Sequence, residues 1–345
     1  MRSMSTALSD LGLTIPVVTA PMAGGPTTPA LVVAAASAGS VGFLAGGYRT
    51  AQGLAEQTAA VRAATIPFGV NLFAPNPTPV DPDAFRRYAA TIQAEADRYG
   101  LALAAEPVED DDHWADKIDL LLADPVPAVS FTFGIPEGSV IAALRKAGSI
   151  TIQTVTSAEE ARAAAEAGVD ALAVQAAAAG GHSGTLTPQH FPAEIPITEL
   201  IAKVRGAVTL PLIAAGGLAT AADITAVLRA GATAAAVGTV LLRTNESGAS
   251  ATHQAAVADP SRRGTTLTRA FSGRPARGLR NTFIDRYDTL APLGYPALHH
   301  LTSPLRKAAA AAGDPERVNL WAGTGYRQAT AEPAAVVLRR LAEST

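Results

Sequence analysis

Ser157-Ala158-Glu159-Glu160-Ala161-Arg162-Ala163-Ala164-Ala165-Glu166-Ala167-Gly168-Val169-Asp170-Ala171-Leu172-Ala173-Val174-Gln175 is one complete structural phrase. Ser157 stands before Glu159 and Glu160, so a hydroxyl cap followed by acidic first-turn residues opens a helix. Gly168 ends it, because glycine adopts the left-handed conformation that closes a helix without a side-chain clash. Ala171-Leu172-Ala173-Val174 then runs apolar without alternation, as a strand does when both its faces are covered. The phrase recurs. Ser37-Ala38-Gly39 precedes Val41-Gly42-Phe43-Leu44-Ala45, Lys146-Ala147-Gly148 precedes the apolar run from Ile150, and Arg229-Ala230-Gly231 precedes Ala234-Ala235-Ala236-Val237.

Four further apolar runs, at 17–20, 67–71, 128–132 and 211–215, bring the strands to eight. Helices are expected at 28–37, 51–63, 137–147, 157–167, 197–205 and 221–230. Alternating strands and helices of this kind predict an α/β fold with a parallel (β/α)8 (TIM) barrel, and a doubly wound open sheet competes for the same spacing. Two stretches break the rhythm. The first, 75–124, begins Pro75-Asn76-Pro77-Thr78-Pro79, carries a helical pattern over 83–99 and contains Glu109-Asp110-Asp111-Asp112. The second is everything after about Asn245. The expected organisation is therefore a barrel from 1–74 and 125–245, with a smaller inserted and C-terminal α-rich substrate lobe from 75–124 and 246–345 over its mouth.

The chain has 345 residues, 48% hydrophobic and 17% charged, enough apolar content for one large core. A net charge of −3 with no basic stripe speaks against nucleic acid or an anionic membrane surface as a partner. Cysteine is absent, which excludes disulfides, thiolate nucleophiles and cysteine metal sites. The opening Met1-Arg2-Ser3-Met4-Ser5-Thr6 lacks a secretory pattern, so a cytoplasmic location is expected. A homo-oligomer is compatible with all of this.

In a β/α barrel, functional residues sit at the carboxyl ends of the strands. Those ends read Met22-Ala23-Gly24-Gly25, Gly46-Gly47-Tyr48, Asn71, Thr132-Phe133-Gly134, Gln175, Gly180-Gly181-His182, Gly216-Gly217 and Ala236-Val237-Gly238-Thr239. Small residues and neutral hydrogen-bonding groups dominate. No carboxylate pair is present for glycoside hydrolysis, and no His/Asp/Glu cluster has metal spacing. A phosphosugar isomerase or lyase would need a lysine or carboxylate at a strand end, and none is apparent. The pocket suits a flat, hydrogen-bonding ligand bearing a phosphate. Gly216-Gly217 and Gly238-Thr239 follow the last two strands, where barrels bind phosphate through backbone N–H groups. His182, flanked by glycines at a strand end, is the candidate general base.

In this order the segments Pro21-Met22-Ala23-Gly24-Gly25-Pro26-Thr27-Thr28-Pro29, Phe68-Gly69-Val70-Asn71-Leu72-Phe73, Ser130-Phe131-Thr132-Phe133-Gly134, Ala179-Gly180-Gly181-His182-Ser183-Gly184, Ala215-Gly216-Gly217-Leu218, Val237-Gly238-Thr239 and Leu320-Trp321-Ala322-Gly323 are quite specific, with 271–281 between the last two. Over nearly its whole length the chain resembles the FMN-dependent nitronate monooxygenases, also called 2-nitropropane dioxygenases. The resemblance implies a barrel holding non-covalent FMN. Asn71 and Gln175 would meet the flavin ring, Met22 and Ala23 would line its edge, and Gly180, Gly181, Gly216 and Gly217 would supply backbone contacts. Ala236, Val237, Gly238 and Thr239 would hold the phosphate, and His182 would act at the reactive face. The implied reaction is one-electron oxidation of an alkyl nitronate such as propionate 3-nitronate, through a flavin semiquinone, with O2 completing conversion to a carbonyl compound and nitrite. Arg274, Arg277 and Tyr326 are looser candidates for substrate recognition. Where the family often carries an acidic residue before Gly-Gly-His and Arg after it, this chain has Ala177-Ala178 and Ser183. The alternative reading is a flavin-dependent enoyl-acyl carrier protein reductase, which would use a nicotinamide cofactor.

Overall fold

The computed structural model describes residues 11–343, so the Met1–Thr6 segment read above lies outside the described residues. From the amino end the elements are β1 (Val17–Thr19), α1 (Pro29–Ser37), β2 (Val41–Ala45), α2 (Ala51–Arg62), β3 (Gly69–Ala74), α3 (Pro82–Asp97), α4 (Trp114–Ala123) and β4 (Ala128–Phe133). Next come α5 (Gly138–Lys146), β5 (Ile150–Val155), α6 (Ala158–Ala167), β6 (Ala171–Gln175), β7 (Gly181–His182), α7 (Ile197–Ala207), β8 (Leu212–Ala215), α8 (Ala221–Arg229) and β9 (Ala234–Val237). The chain finishes with α9 (Ala251–Ala258), β10 (Thr265–Thr268), β11 (Ala276–Leu279), α10 (Thr282–Tyr287), α11 (Ala297–Ala311) and α12 (Ala334–Ala342).

The sheet closes. Parallel pairing runs β1-β2-β3-β4-β5-β6-β8-β9, and β9 returns to β1 with Val17 opposite Ala235. This is the (β/α)8 barrel, and closure removes the open-sheet alternative. The local signals act as read. Ser157 Oγ accepts from the Glu160 N–H at 3.2 Å, and Thr220 and Asp223 form a reciprocal capping box that starts α8. Gly39, Gly148, Gly168 and Gly231, the four glycines that separate helix from strand, all have positive φ.

Two apolar layers result. Inside the barrel, Val18, Val41, Phe43, Ala128, Ile152, Ala171, Ile213 and Ala234 pack together, with Leu11 closing the base. Outside, strand residues such as Val155, Leu172 and Leu212 pack against helix residues such as Ile201 and Val227. Two of the outer helices come from the stretches that interrupt the rhythm. On α4, Ile118 and Leu121, with Trp114 beside them, join Phe68, Val129 and Phe131, so this helix covers the barrel after β3. On α12, Val337, Leu338 and Leu341 join Leu31, Ala35 and Val17, so the carboxyl-terminal helix packs beside α1. We place these two helices with the barrel and propose that the lobe comprises about 75–113 and 246–330.

The lobe has its own core. Phe85, Tyr88 and Ile92 of α3 pack on Phe271, Phe283, Leu298 and Leu301. It grips the barrel through a three-stranded antiparallel sheet, β10-β11-β7, in which His182 lies opposite Ala276. The Gly-Gly-His segment thus belongs to both parts of the molecule. Among the described residues no helix is long and apolar enough to cross a membrane.

Candidate functional site

The carboxyl ends of the barrel strands and the underside of the lobe enclose a cavity of about 1030 Å³. Met22, Ala23, Asn71, Gln175 and His182 line it, as do Gly180, Gly181, Gly216 and Gly217. Ala236, Val237, Gly238 and Thr239 line it too. The fold therefore brings nearly all the strand-end residues singled out above to one space; Gly46 and Gly134 stand outside its lining.

Each polar group has a definite setting. Asn71 is 4% exposed, and its Nδ2 donates to Ser130 Oγ at 2.9 Å and Thr132 Oγ1 at 3.1 Å. Its Oδ1 has no protein donor among the described residues, so one acceptor of the amide is left for a ligand. Gln175 is spent differently. Its Nε2 donates to the His182 carbonyl at 3.2 Å and its Oε1 accepts from the Gly184 N–H at 2.7 Å. Gln175 thus clamps both sides of the His182 hairpin and meets the cavity only with what remains of its surface.

The glycines create close approach and free donors. A Cβ on Gly180 would lie 2.5 Å from the Gly323 nitrogen and 2.6 Å from the Ala322 carbonyl carbon, so only glycine lets the hairpin seat against 322–323. Gly323 N–H donates to Thr239 Oγ1 at 2.9 Å, and Thr324 N–H to the Ala178 carbonyl at 3.1 Å. Among the described residues, the amides of Gly216, Gly217 and Gly238 find no protein acceptor. Convergent unpaired N–H groups on small residues make a cradle for an anionic oxygen cluster. The donor set, the free Asn71 acceptor and the volume fit a phosphate-bearing isoalloxazine.

His182 sits in an aromatic cage. Its ring centroid is 5.8 Å from that of Phe133, 5.6 Å from Tyr295 and 5.5 Å from Trp321, each at a steep angle. Nε2 lies 2.8 Å from Ser272 Oγ, which is itself 3.3 Å from the Arg274 carbonyl. A carbonyl only accepts, so we assign the Ser272 hydrogen to it and the imidazole hydrogen to Nε2. Nδ1 is then the basic nitrogen. Burial, then the charges of Arg274 and Arg306, push the His182 pKa down to about 3, so the ring is neutral at ordinary pH.

The lobe supplies residues that strand-end reading does not reach: Ser272, Tyr295, His299, Arg306 and Trp321. Tyr295 and Trp321 are buried or half-buried rings against the imidazole, and Tyr295 keeps its proton because burial raises its pKa well above the ordinary value. Four of the described non-glycine residues with positive φ, Tyr48, Asp112, His113 and Phe133, line the cavity. Such strained backbone gathers at functional sites.

The three looser candidates require correction. Arg274, Arg277 and Tyr326 do not line the cavity. Arg274 is fully buried, lies 4.1 Å over the Phe133 ring and donates to the carbonyls of Ser183 and Thr185, so it braces the loop after His182. Arg277 holds the Ala177 carbonyl at 2.6 Å and pairs with Glu194. Tyr326 Oη donates to the Arg262 carbonyl at 3.0 Å.

Three histidines, His253 buried and His182 and His299 half-buried, share one consequence. Burial lowers the pKa of His182 to about 3, of His253 to about 4, and of His299 well below its ordinary value. The unfolded chain protonates these rings near pH 6.5, so between there and the folded values it binds more protons than the native state. Stability is therefore full above about pH 6.5 and is lost as pH falls below it. Thermal unfolding should give a flat Tm from pH 7 to 8.5 and a steep decline below 6.5, less steep in a His253→Gln variant. A Tm unchanged from pH 7.5 to 4.5 would contradict the assignment.

Comparison with known proteins agrees with this geometry. The family described as Nitronate monooxygenase matches residues 5–343. A Staphylococcus aureus (strain Newman) protein described as a probable nitronate monooxygenase is 33% identical over 336 residues, covering 96% of this chain and 94% of that one. Among solved structures, nitroalkane oxidase from Streptomyces ansochromogenes superposes with a TM-score of 0.93 at 47% identity, covering 97% of this chain and 96% of that one. FabK from Thermotoga maritima superposes at 0.75 with 25% identity, covering 99% and 95%.

Proposed function

The chain belongs to the nitronate monooxygenase family, flavin-dependent oxidoreductases that oxidise nitro compounds, and from that premise we propose that it oxidises an alkyl nitronate with O2 to a carbonyl compound and nitrite, using FMN at the barrel mouth. FMN, when bound, supplies the acceptor for the substrate's electrons and their route to O2. Gly216, Gly217, Gly238 and Thr239 would hold its phosphate, Asn71 Oδ1 would accept from its ring, and Met22 and Ala23 would line its edge.

One observation carries the choice of nitronate: a neutral imidazole stands in a cavity wall influenced by two cations. Arg274 and Arg306 both oppose protonation of His182, and neither has a carboxylate partner among the described residues. A field of that sign attracts an anion and makes the free imidazole a weak base. A substrate that arrives already ionised suits both properties. Its charge also offsets the arginines and restores basicity to His182 once bound, so a neutral nitroalkane is a slower substrate of the same site. Phe133, Tyr295 and Trp321 exclude water around the reacting carbon, and Ser272 fixes the imidazole's tautomer.

The test is direct. The purified protein should be yellow, release FMN on denaturation, and consume O2 with propyl-1-nitronate in the absence of any nicotinamide. A colourless protein that cannot be loaded with FMN, or bleaching by NADH with no nitronate-dependent O2 uptake, would overturn the reading; the second result would favour the reductase.

A further inference from the structure

Tyr48 follows β2 and Tyr295 stands just before α11, one from the barrel and one from the lobe, and both line the cavity. Their hydroxyl oxygens lie 3.4 Å apart. That is longer than an ordinary O–H···O bond, so the two groups spend little on each other. Neither hydroxyl has another protein partner among the described residues. Each can therefore still donate, and an oxygen about 2.7 Å from both would close a triangle with them at the usual length of such a bond. Burial pushes the Tyr48 pKa up to about 12 and that of Tyr295 well above its ordinary value, so both keep their protons.

Both rings are held in place. Tyr48 has a φ of 64°, in the left-handed region that a residue with a side chain rarely adopts. Its N–H donates to Asp112 Oδ1 at 2.9 Å, and Asp112 Oδ2 lies 2.7 Å from Nζ of Lys117, a residue of α4 that is 1% exposed. A helix packed outside the barrel thus reaches in and locks the backbone at Tyr48. Such strain persists only where the surroundings over-determine it. The Tyr48 ring stacks on His299 at 4.0 Å with an interplanar angle of 5°, and meets Phe73 edge-on at 5.2 Å. A Cβ on Gly47 would lie 2.3 Å from the Phe73 ring, so glycine there lets Phe73 come this close. Tyr295 is buried, and its ring stands across that of Phe133 at 5.1 Å. Fixed hydroxyl donors need no reorganisation when charge develops beside them.

Tyr295 ties the pair to the chemistry, because its ring centroid is 5.6 Å from that of His182. The backbone cradle of Gly216, Gly217 and Gly238 follows β8 and β9, whereas Tyr48 follows β2, so these hydroxyls serve a different group from the phosphate. We propose that Tyr48 and Tyr295 are catalytic residues whose hydroxyls together hold one oxygen of the substrate's nitro group while His182 acts at the adjoining carbon. This deepens the nitronate reading and rests on it. The chemistry explains the choice of donors. When His182 Nδ1 takes the α-carbon proton of a neutral nitroalkane, the C–H electron pair becomes the C=N bond and an N=O pair moves onto oxygen. Both hydrogen bonds strengthen as that charge grows. A preformed nitronate already carries the charge, so the same two bonds go into its binding.

Tyr48→Phe and Tyr295→Phe test it, since each removes one hydroxyl and keeps the ring. With propyl-1-nitronate each variant should raise KM about 10- to 100-fold, the range for one hydrogen bond to a charged acceptor, and leave kcat within about threefold. With 1-nitropropane the loss should fall mainly on kcat, because charge reaches the oxygen only as the proton leaves. Independently of turnover, butyrate, whose carboxylate copies the shape and charge of a nitronate, should bind each variant at least about tenfold more weakly by calorimetry. Flavin content and Tm should change little, which separates a lost contact from lost structure. A nitronate KM and a butyrate affinity both within about threefold of the unaltered protein, or equal kcat losses on both substrates, would overturn the assignment. Should one variant not fold, the other carries the same comparison. Failure of the unaltered protein to oxidise either compound would sink the functional reading instead.

Discussion

His182→Asn should keep its flavin and lose most turnover on a neutral nitroalkane, by about 10²- to 10⁴-fold, the range expected for a lost general base. On a preformed nitronate the loss should be nearer tenfold. The two substrates separate two roles. A neutral nitroalkane must surrender a carbon proton, which needs a lone pair near the reacting carbon. A nitronate has already lost that proton and needs only to be oriented. Asn is one bond shorter than the imidazole Nε2 and gives up the 2.8 Å contact with Ser272 Oγ, but the hairpin should stay seated because Gln175 still holds the backbone carbonyl at position 182 and the Gly184 N–H. Flavin content and Tm should therefore change little. Unaltered nitroalkane turnover would remove His182 from proton transfer. Equal losses on both substrates would make it an orienting group only.

The barrel was legible because its signals are local. A continuous apolar strand, a glycine with positive φ and a hydroxyl cap each act within a few residues, and Ser157–Gln175 contains all three. The strand-end glycines were legible for the same reason, since close packing of backbone on ligand or backbone leaves no other residue type at Gly180. Helix α4 was hidden because Trp114–Ala123 follows an acidic run and looks continuous with the lobe. Helix α12 was hidden because its partner, α1, lies some 300 residues earlier in the chain. The lobe half of the site was hidden most deeply. Of Ser272, Tyr295, His299, Arg306 and Trp321 only His299 and Arg306 share an element, and no spacing in the sequence announces that an antiparallel sheet through His182 will fold them all over the barrel. Arg274 shows the converse error: an arginine in a distinctive motif suggested substrate recognition, yet it stands outside the cavity lining and its Nε and Nη2 donate to the carbonyls of Ser183 and Thr185.

The double variant Asn71→Ala/Gln175→Ala should bind flavin about 10- to 100-fold more weakly than the unaltered protein. The two side chains fail in different ways. Asn71 spends its Nδ2 on Ser130 and Thr132 and leaves Oδ1 to the cavity, so its removal deletes one ligand acceptor and takes a donor from two hydroxyls, of which Thr132 keeps Thr154. Gln175 acts through the hairpin. Without it the His182 carbonyl and the Gly184 N–H lose their partners, and the Gly180-Gly181 segment loses part of what presses it toward 322–323. Losing one or two hydrogen bonds of this kind costs about 1–3 kcal/mol, which is the stated range of affinity. Flavin per protein after gel filtration, with a fluorescence titration of the apoprotein, gives the number. The single variants divide the effect: Asn71→Ala should weaken flavin binding with kcat nearly intact, whereas Gln175→Ala should lower kcat as well, because it loosens the element that carries the imidazole. Full flavin occupancy in the double variant would show that the cradle is made by backbone alone, and an unchanged kcat in Gln175→Ala would show that β11 pairing is enough to hold His182 in place.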